Sequence, residues 1–150
     1  MGYTIKTYSK MVMAQTIGEF IEKTIEEYRP FMFLEGYDIE VRRTEQTDFN
    51  YTMEIDVKYP YRHAVILYGE RAEEKFRQGV DLEKFVVHEL CHIIVAEISE
   101  SAEYYVPQYS EMFLDYNEKA TDHFAQIIYG LKKKNDIIRH MPKRRGKKKK

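Results

Sequence analysis

The stretch that most constrains this chain is Val86-Val87-His88-Glu89-Leu90-Cys91-His92-Ile93-Ile94. It sets three ionisable side chains inside an apolar run, and each of them needs a partner if the run is buried. On a helix, residues four apart share a face, so His88 and His92 can aim both imidazoles at one point. Two convergent imidazoles make half of a zinc site. Glu89 lies one step round the helix. It is close enough to reach a water at such a metal but is angled away from direct ligation, which is the place for a general base in metal-assisted hydrolysis.

A catalytic zinc takes three protein ligands and leaves one position open. The third ligand is sought in Asn117-Glu118-Lys119-Ala120-Thr121-Asp122. Glu118 and Asp122 are four apart, on a stripe shared with Leu114, Ala125 and Tyr129. Two acids on such a stripe are costly to bury without a cation or a partner. Glu118 as the third ligand and Asp122 as hydrogen-bond acceptor for His88 or His92 would satisfy both. Other ligand schemes fit less well. A metzincin would need Gly at 95 and His at 98, where this chain has Val95 and Ile98, and Glu97 lies off the face that carries the histidines.

His88-Glu89-Leu90-Cys91-His92 followed by Asn117-Glu118-Lys119-Ala120-Thr121-Asp122 resembles the gluzincin metallopeptidases, whose motif is H-E-x-x-H on one helix and N-E-x-x-x-D on the next. The order of helix, small sheet, H-E-x-x-H helix and glutamate helix is similar to the short minimal gluzincins and phage-type metallopeptidases. The resemblance covers residues 81–130 specifically and 1–60 weakly. It implies a zincin-like fold, one catalytic zinc held by His88, His92 and Glu118, Glu89 as general base and Asp122 behind a ligand histidine. In large gluzincins a C-terminal lobe supplies an oxyanion-stabilising His or Tyr, and this sequence is expected to lack that lobe. Tyr104, Tyr105 and Tyr109, between the two site helices, are the candidates for substrate or oxyanion contacts.

The rest of the chain reads as an α+β domain. Met13, Ile17, Phe20, Ile21, Ile25 and Tyr28 form one stripe of a helix over 11–29, stopped by Pro30. Past Gly36 the period changes to two. Tyr37, Ile39 and Val41, then Tyr51, Met53, Ile55, Val57 and Tyr59, mark two half-buried strands joined by a polar loop over 44–50. A third strand over 62–68 is apolar at Ala64-Val65-Ile66-Leu67, as expected with both faces covered. A substrate is expected to lie extended beside it. Glu70 to Gln78 reads as a short helix closed by Gly79. Asp81 caps a helix running to about Ile98, apolar nearly all round and hence central. A loop over 99–109 follows. The last helix, 111–129, is expected to pack through Phe113, Tyr116, Ala120, Phe124 and Ile127 and to end at Gly130.

A net charge of −1 conceals a division. Residues 132–150 hold 11 Lys or Arg and one acid, against 13 basic and 24 acidic side chains in 1–131. The expected organisation is therefore a zincin-like metallopeptidase domain over 1–131 and a basic, disordered tail over 132–150. That tail offers a non-specific contact to an anionic partner. The acidic body argues against a dedicated nucleic-acid groove. No run is long and apolar enough to cross a bilayer, the start lacks a signal-peptide pattern, and one cysteine suits a reducing cytoplasm. Cys91 points away from the metal and reads as a core residue. His63, His123 and His140 carry no assigned role. The expected function is a zinc-dependent endopeptidase acting on a peptide or protein substrate. The alternatives are a non-catalytic protein stapled by zinc and a peptidase dedicated to one regulatory protein.

Overall fold

The computed structural model describes residues 15–46, 48–59, 61–105 and 110–140. Among these the chain is mixed α+β: four α-helices and one three-stranded mixed sheet, in the order α1 (Ile17–Tyr28), β1 (Asp38–Arg43), β2 (Met53–Lys58), β3 (His63–Tyr68), α2 (Glu70–Arg77), α3 (Glu83–Tyr105) and α4 (Ser110–His140).

The first helix begins later than its apolar stripe predicts, at a capping box. The Thr16 hydroxyl accepts the Glu19 N–H, and the Glu19 carboxylate accepts the Thr16 N–H at 2.8 Å. Of the expected helical residues before that box, 11–14 lie outside the described part. Ile17, Ile21, Ile25 and Tyr28 face inward and are buried.

The two early strands do not pair with each other. The sheet order is β1-β3-β2, with β3 parallel to β1 and antiparallel to β2. The loop after β1 therefore carries the chain past the central position, and β3 returns to fill it. That is why Ala64, Val65 and Ile66 are all buried while β2 alternates and β1 has no fully buried residue. A central strand has no edge to offer, so the expected docking of a substrate beside 62–68 is overturned. The edges of this sheet belong to β1 and β2.

Helix α3 is the core of the molecule. Leu82, Val86, Val87, Leu90 and Cys91 are fully buried. They pack with the α1 stripe, Met53 of β2, Ala64 and Ile66 of β3, and Ala125 of α4. Burying each such aliphatic side chain is worth about 1.5–3 kcal/mol. Beyond this layer Val95 and Ala96 are buried, while Ile94 and Ile98 are exposed. α3 also runs to Tyr105 rather than stopping near Ile98. Ser99-Glu100-Ser101-Ala102-Glu103 contains no breaker, and the Ser99 hydroxyl donates back to the Val95 carbonyl at 3.0 Å.

α4 likewise continues through Gly130 to His140, 31 residues in all. Glycine there costs helix propensity but does not end the helix, because the following turn is pinned. Lys132 pairs with Asp136 and Glu27, Lys133 with Glu83, and the Tyr129 hydroxyl donates to Asp81. The part of the basic segment up to residue 140 is thus helical; 141–150 lie outside the described residues. The expected packing stripe of this helix is corrected. Tyr116, Phe124 and Ile127 are exposed, and the face against α3 is Thr121, Ala125 and, half-buried, Ile128. Among the described residues no helix is long and apolar enough to cross a membrane.

Candidate metal centre

α3 and α4 run antiparallel, which sets residues 88–92 opposite 118–122. The two imidazole Nε2 atoms, of His88 and His92, are 3.2 Å apart. The Glu118 carboxylate reaches both, with Oε2 3.7 Å from His88 Nε2 and Oε1 3.5 Å from His92 Nε2. Four ligands at about 2.0–2.1 Å from a tetrahedral zinc are about 3.4 Å from one another. The three contacts bracket that spacing.

The outer nitrogens set the tautomers. His88 Nδ1 is 2.9 Å from Asp122 Oδ1, so its N–H donates to that carboxylate. His92 Nδ1 is 3.4 Å from the Thr121 hydroxyl, which is fully buried. When Thr121 likewise accepts from His92 Nδ1, both Nε2 lone pairs and the Glu118 oxygens converge on one point. Such a convergence of acceptors is repulsive without a cation. His88, His92 and Glu118 form a group whose ligand atoms all lie within 4.8 Å of one another. The histidine pair is the covered part of it, and burial, foremost, holds the His92 pKa below the usual histidine range.

Glu118 and Asp122 are 61% and 66% exposed. The cost of burying two acids, which drew attention to them in the sequence, therefore does not operate; they stand at the mouth of a cleft. What they share is a position opposite the histidines.

Glu89 is the buried acid, 7% exposed. It sits on the α3 face towards β2, with the Ile55 backbone N–H near its carboxylate. Its pKa is pushed up to about 8, first by burial, then by the negative charges of Glu118 and Glu54, with the Ile55 N–H opposing. The side of the strand away from β3 is turned to α3. Between them lies a cleft of about 650 Å³, bordered by Tyr51, Met53, Ile55 and Val57 on one side and His88, Glu89, His92 and Glu118 on the other. The buried Asn117 Oδ1, also at this cleft, has no hydrogen-bond partner among the described residues.

The structure thus brings together His88, Glu89, His92, Glu118 and Asp122, and it assigns Asp122 to His88 rather than His92. Tyr104 and Tyr105 fall in the last turn of α3, not in a loop. Their side chains, and Tyr109, lie outside the described part. Sequence reasoning missed Thr121, although it lies three residues from Glu118 and the same helical counting reaches it. It also missed β2 as the wall of the cleft, because strand order is not written in periodicity. Cys91 is buried among core residues, its thiol pushed up to about 12 by burial. His123 and His140 are exposed. A second grouping, Asp38, Glu40 and His63, joins β1 to β3. It has one histidine rather than two, and Arg42 already holds Glu40. Compared with protein-family models, curated proteins and solved structures, the chain matches none.

Proposed function

We propose that this chain is a zinc-dependent metallopeptidase of zincin-like fold and gluzincin kind, an endopeptidase that hydrolyses peptide bonds in an extended protein or peptide substrate. The observation that carries the reading is the donor set: two imidazole Nε2 atoms and one carboxylate at 3.2–3.7 Å, with their lone pairs converging beside a buried glutamate. His88, His92 and Glu118 would hold the ion, which supplies Lewis acidity to a water and to the substrate carbonyl.

The remaining work falls to the chain's own residues. Glu89 accepts a proton from the attacking water as its oxygen bonds to the carbonyl carbon. It then delivers that proton to the leaving nitrogen as the C–N bond breaks. Burial suits this task, since a carboxyl raised into the neutral range can both take and return a proton. A divalent charge at the donor set offsets the Glu118 contribution to that rise and frees Glu89 to act as a base. Asp122 keeps the His88 Nε2 lone pair directed inward. The outward edge of β2 provides N–H and C=O groups for an extended chain to pair with, and the apolar Met53, Ile55 and Val57 lie along it. A single buried cysteine is compatible with a reducing cytoplasm.

The test is metal analysis and hydrolysis of denatured casein by wild type, Glu89→Gln and Glu118→Ala. Wild type is expected to hold one zinc per chain and Glu118→Ala to lose it. Glu89→Gln should keep zinc while its hydrolysis drops roughly 10²–10⁴-fold. Undiminished turnover in Glu89→Gln overturns the mechanism, and a full complement of zinc in Glu118→Ala overturns the donor set.

A further inference from the structure

The cleft beside the donor set carries chemistry that the hydrolytic step does not use. Its walls near the histidines are apolar, with Met53, Ile55 and Val57 on β2 and the buried Ala96 on α3. Its rim is acidic. Glu54 of β2 and Glu100 of α3 both border it and both are exposed. Among the described residues neither is held by an ion pair, and no Lys or Arg borders this cleft. Glu118, the other exposed acid here, faces the histidines. A divalent charge at the donor set would offset Glu118 and leave Glu54 and Glu100 uncompensated.

Helix and strand geometry place these two acids relative to the donor set. Ala96 follows His92 by four residues and Glu100 by eight, about 6 and 12 Å along the axis. Glu54 precedes Ile55, whose N–H lies near Glu89, and its charge is among those felt by Glu89. Past His88 in the other direction, a hollow of about 420 Å³ is bordered by Lys84 and Asp122, one charge of each sign beyond Glu89. The excess of negative charge is thus confined to one side of the donor set.

A ligand that suits apolar walls under an acidic rim has an apolar stem and a cationic tip. Lys and Arg side chains are built this way and lay their methylenes along apolar surface while the head stays at a wet, charged edge. In an extended chain at about 3.3 Å per residue, a Lys or Arg within about three residues of the cut bond brings its head to Glu100.

We infer that the cleft selects peptides bearing a lysine or arginine on the Glu100 side of the cut bond, with Glu54 and Glu100 as the acids that hold the cation. Charge complementarity of this sort sets specificity more than raw affinity. The selectivity rests on the peptidase reading of the same cleft, yet binding shows it without hydrolysis.

The test uses Glu89→Gln protein in zinc-containing buffer, in which hydrolysis is suppressed. Dye-labelled eight-residue peptides of alanine and serine carry one central Lys, Arg, Gln or Glu, and fluorescence anisotropy reads their binding. The Lys and Arg peptides should bind roughly 3–10-fold tighter than the Gln peptide, the scale of two exposed ion pairs. The Glu peptide should bind more weakly still, and high salt should narrow the spread. Adding Glu54→Gln and Glu100→Gln should erase the preference. Glu22→Gln with Glu35→Gln, which removes as much exposed charge outside the cleft, should leave it. Cut sites of wild type in denatured casein, mapped by mass spectrometry, should carry Lys or Arg at one fixed position within three residues of the cut. No difference among the peptides overturns the selectivity, as does a preference that survives in the Glu54/Glu100 variant or cut sites without the bias. If wild type cuts nothing while Glu89→Gln still prefers the cationic peptides, the hydrolytic reading fails and the selectivity stands.

Discussion

Glu89 carries a thermodynamic signature that can be read without a substrate. Its ordinary pKa of 4.5 rises to about 8 in the folded protein. The folded state therefore binds this proton more tightly than the unfolded chain does. Stability from this group is complete below about pH 4.5 and is lost as pH climbs through 8. In metal-free protein, the wild-type unfolding free energy should fall by on the order of 2–4 kcal/mol between pH 5 and pH 8 relative to Glu89→Gln. Glutamine resembles the protonated acid and has no such loss. Denaturant unfolding at the two pH values in the presence of chelator measures it; parallel pH profiles for the two proteins would contradict the cause assigned here.

At the level of elements, the site is a property of the α3–α4 hairpin. Asp122 and Thr121 lie behind His88 and His92, and their contacts are unequal: 2.9 Å and charge-assisted against 3.4 Å and neutral. Asp122→Asn is expected to weaken zinc binding about 10–100-fold in a chelator competition, and Thr121→Val by less. The reverse order would show that the buried hydroxyl, not the exposed carboxylate, sets the ligand orientation. Much of this hairpin was legible in the sequence. Four-residue spacing in His88/His92 and in Glu118/Asp122 is local geometry, and a helix enforces it wherever it packs. The extent and facing of the helices were not. The stretch after Ile98 carries no breaker, and the stop signal at Gly130 is overridden by the ion pairs around Lys132 and Lys133. Tyr116, Phe124 and Ile127 form a stripe as regular as any core face, and periodicity says that a stripe exists without saying what meets it. The place of β3 between two strands that precede it in the chain is a long-range outcome, visible beforehand only as the unbroken apolar run Ala64–Leu67.

In the whole molecule, stability is graded along the helices. α3 lies between the sheet with α1 on one side and α4 on the other, and its residues 86–93 include the most deeply buried positions. Their amide protons should exchange only through global unfolding. Those of 134–140, past the last ion pair to α3, should exchange by local opening at least ~10²-fold faster. Hydrogen exchange resolved by residue tests this, and equal protection of the two segments would show that α4 is held along its full length. Such a gradient fits a fold whose interior is built around one helix.

The proposed ligands and their supporting residues all come from one uninterrupted piece of chain, 88–122, whereas the wall that shapes Glu89 comes from β2, some thirty residues earlier. On the proposed reading, holding the ion and hydrolysing a peptide therefore have different origins. Excised, the two-helix unit would retain the first and forfeit the second, since without Ile55 and its neighbours the glutamate would stand in open water with nothing to raise its proton affinity.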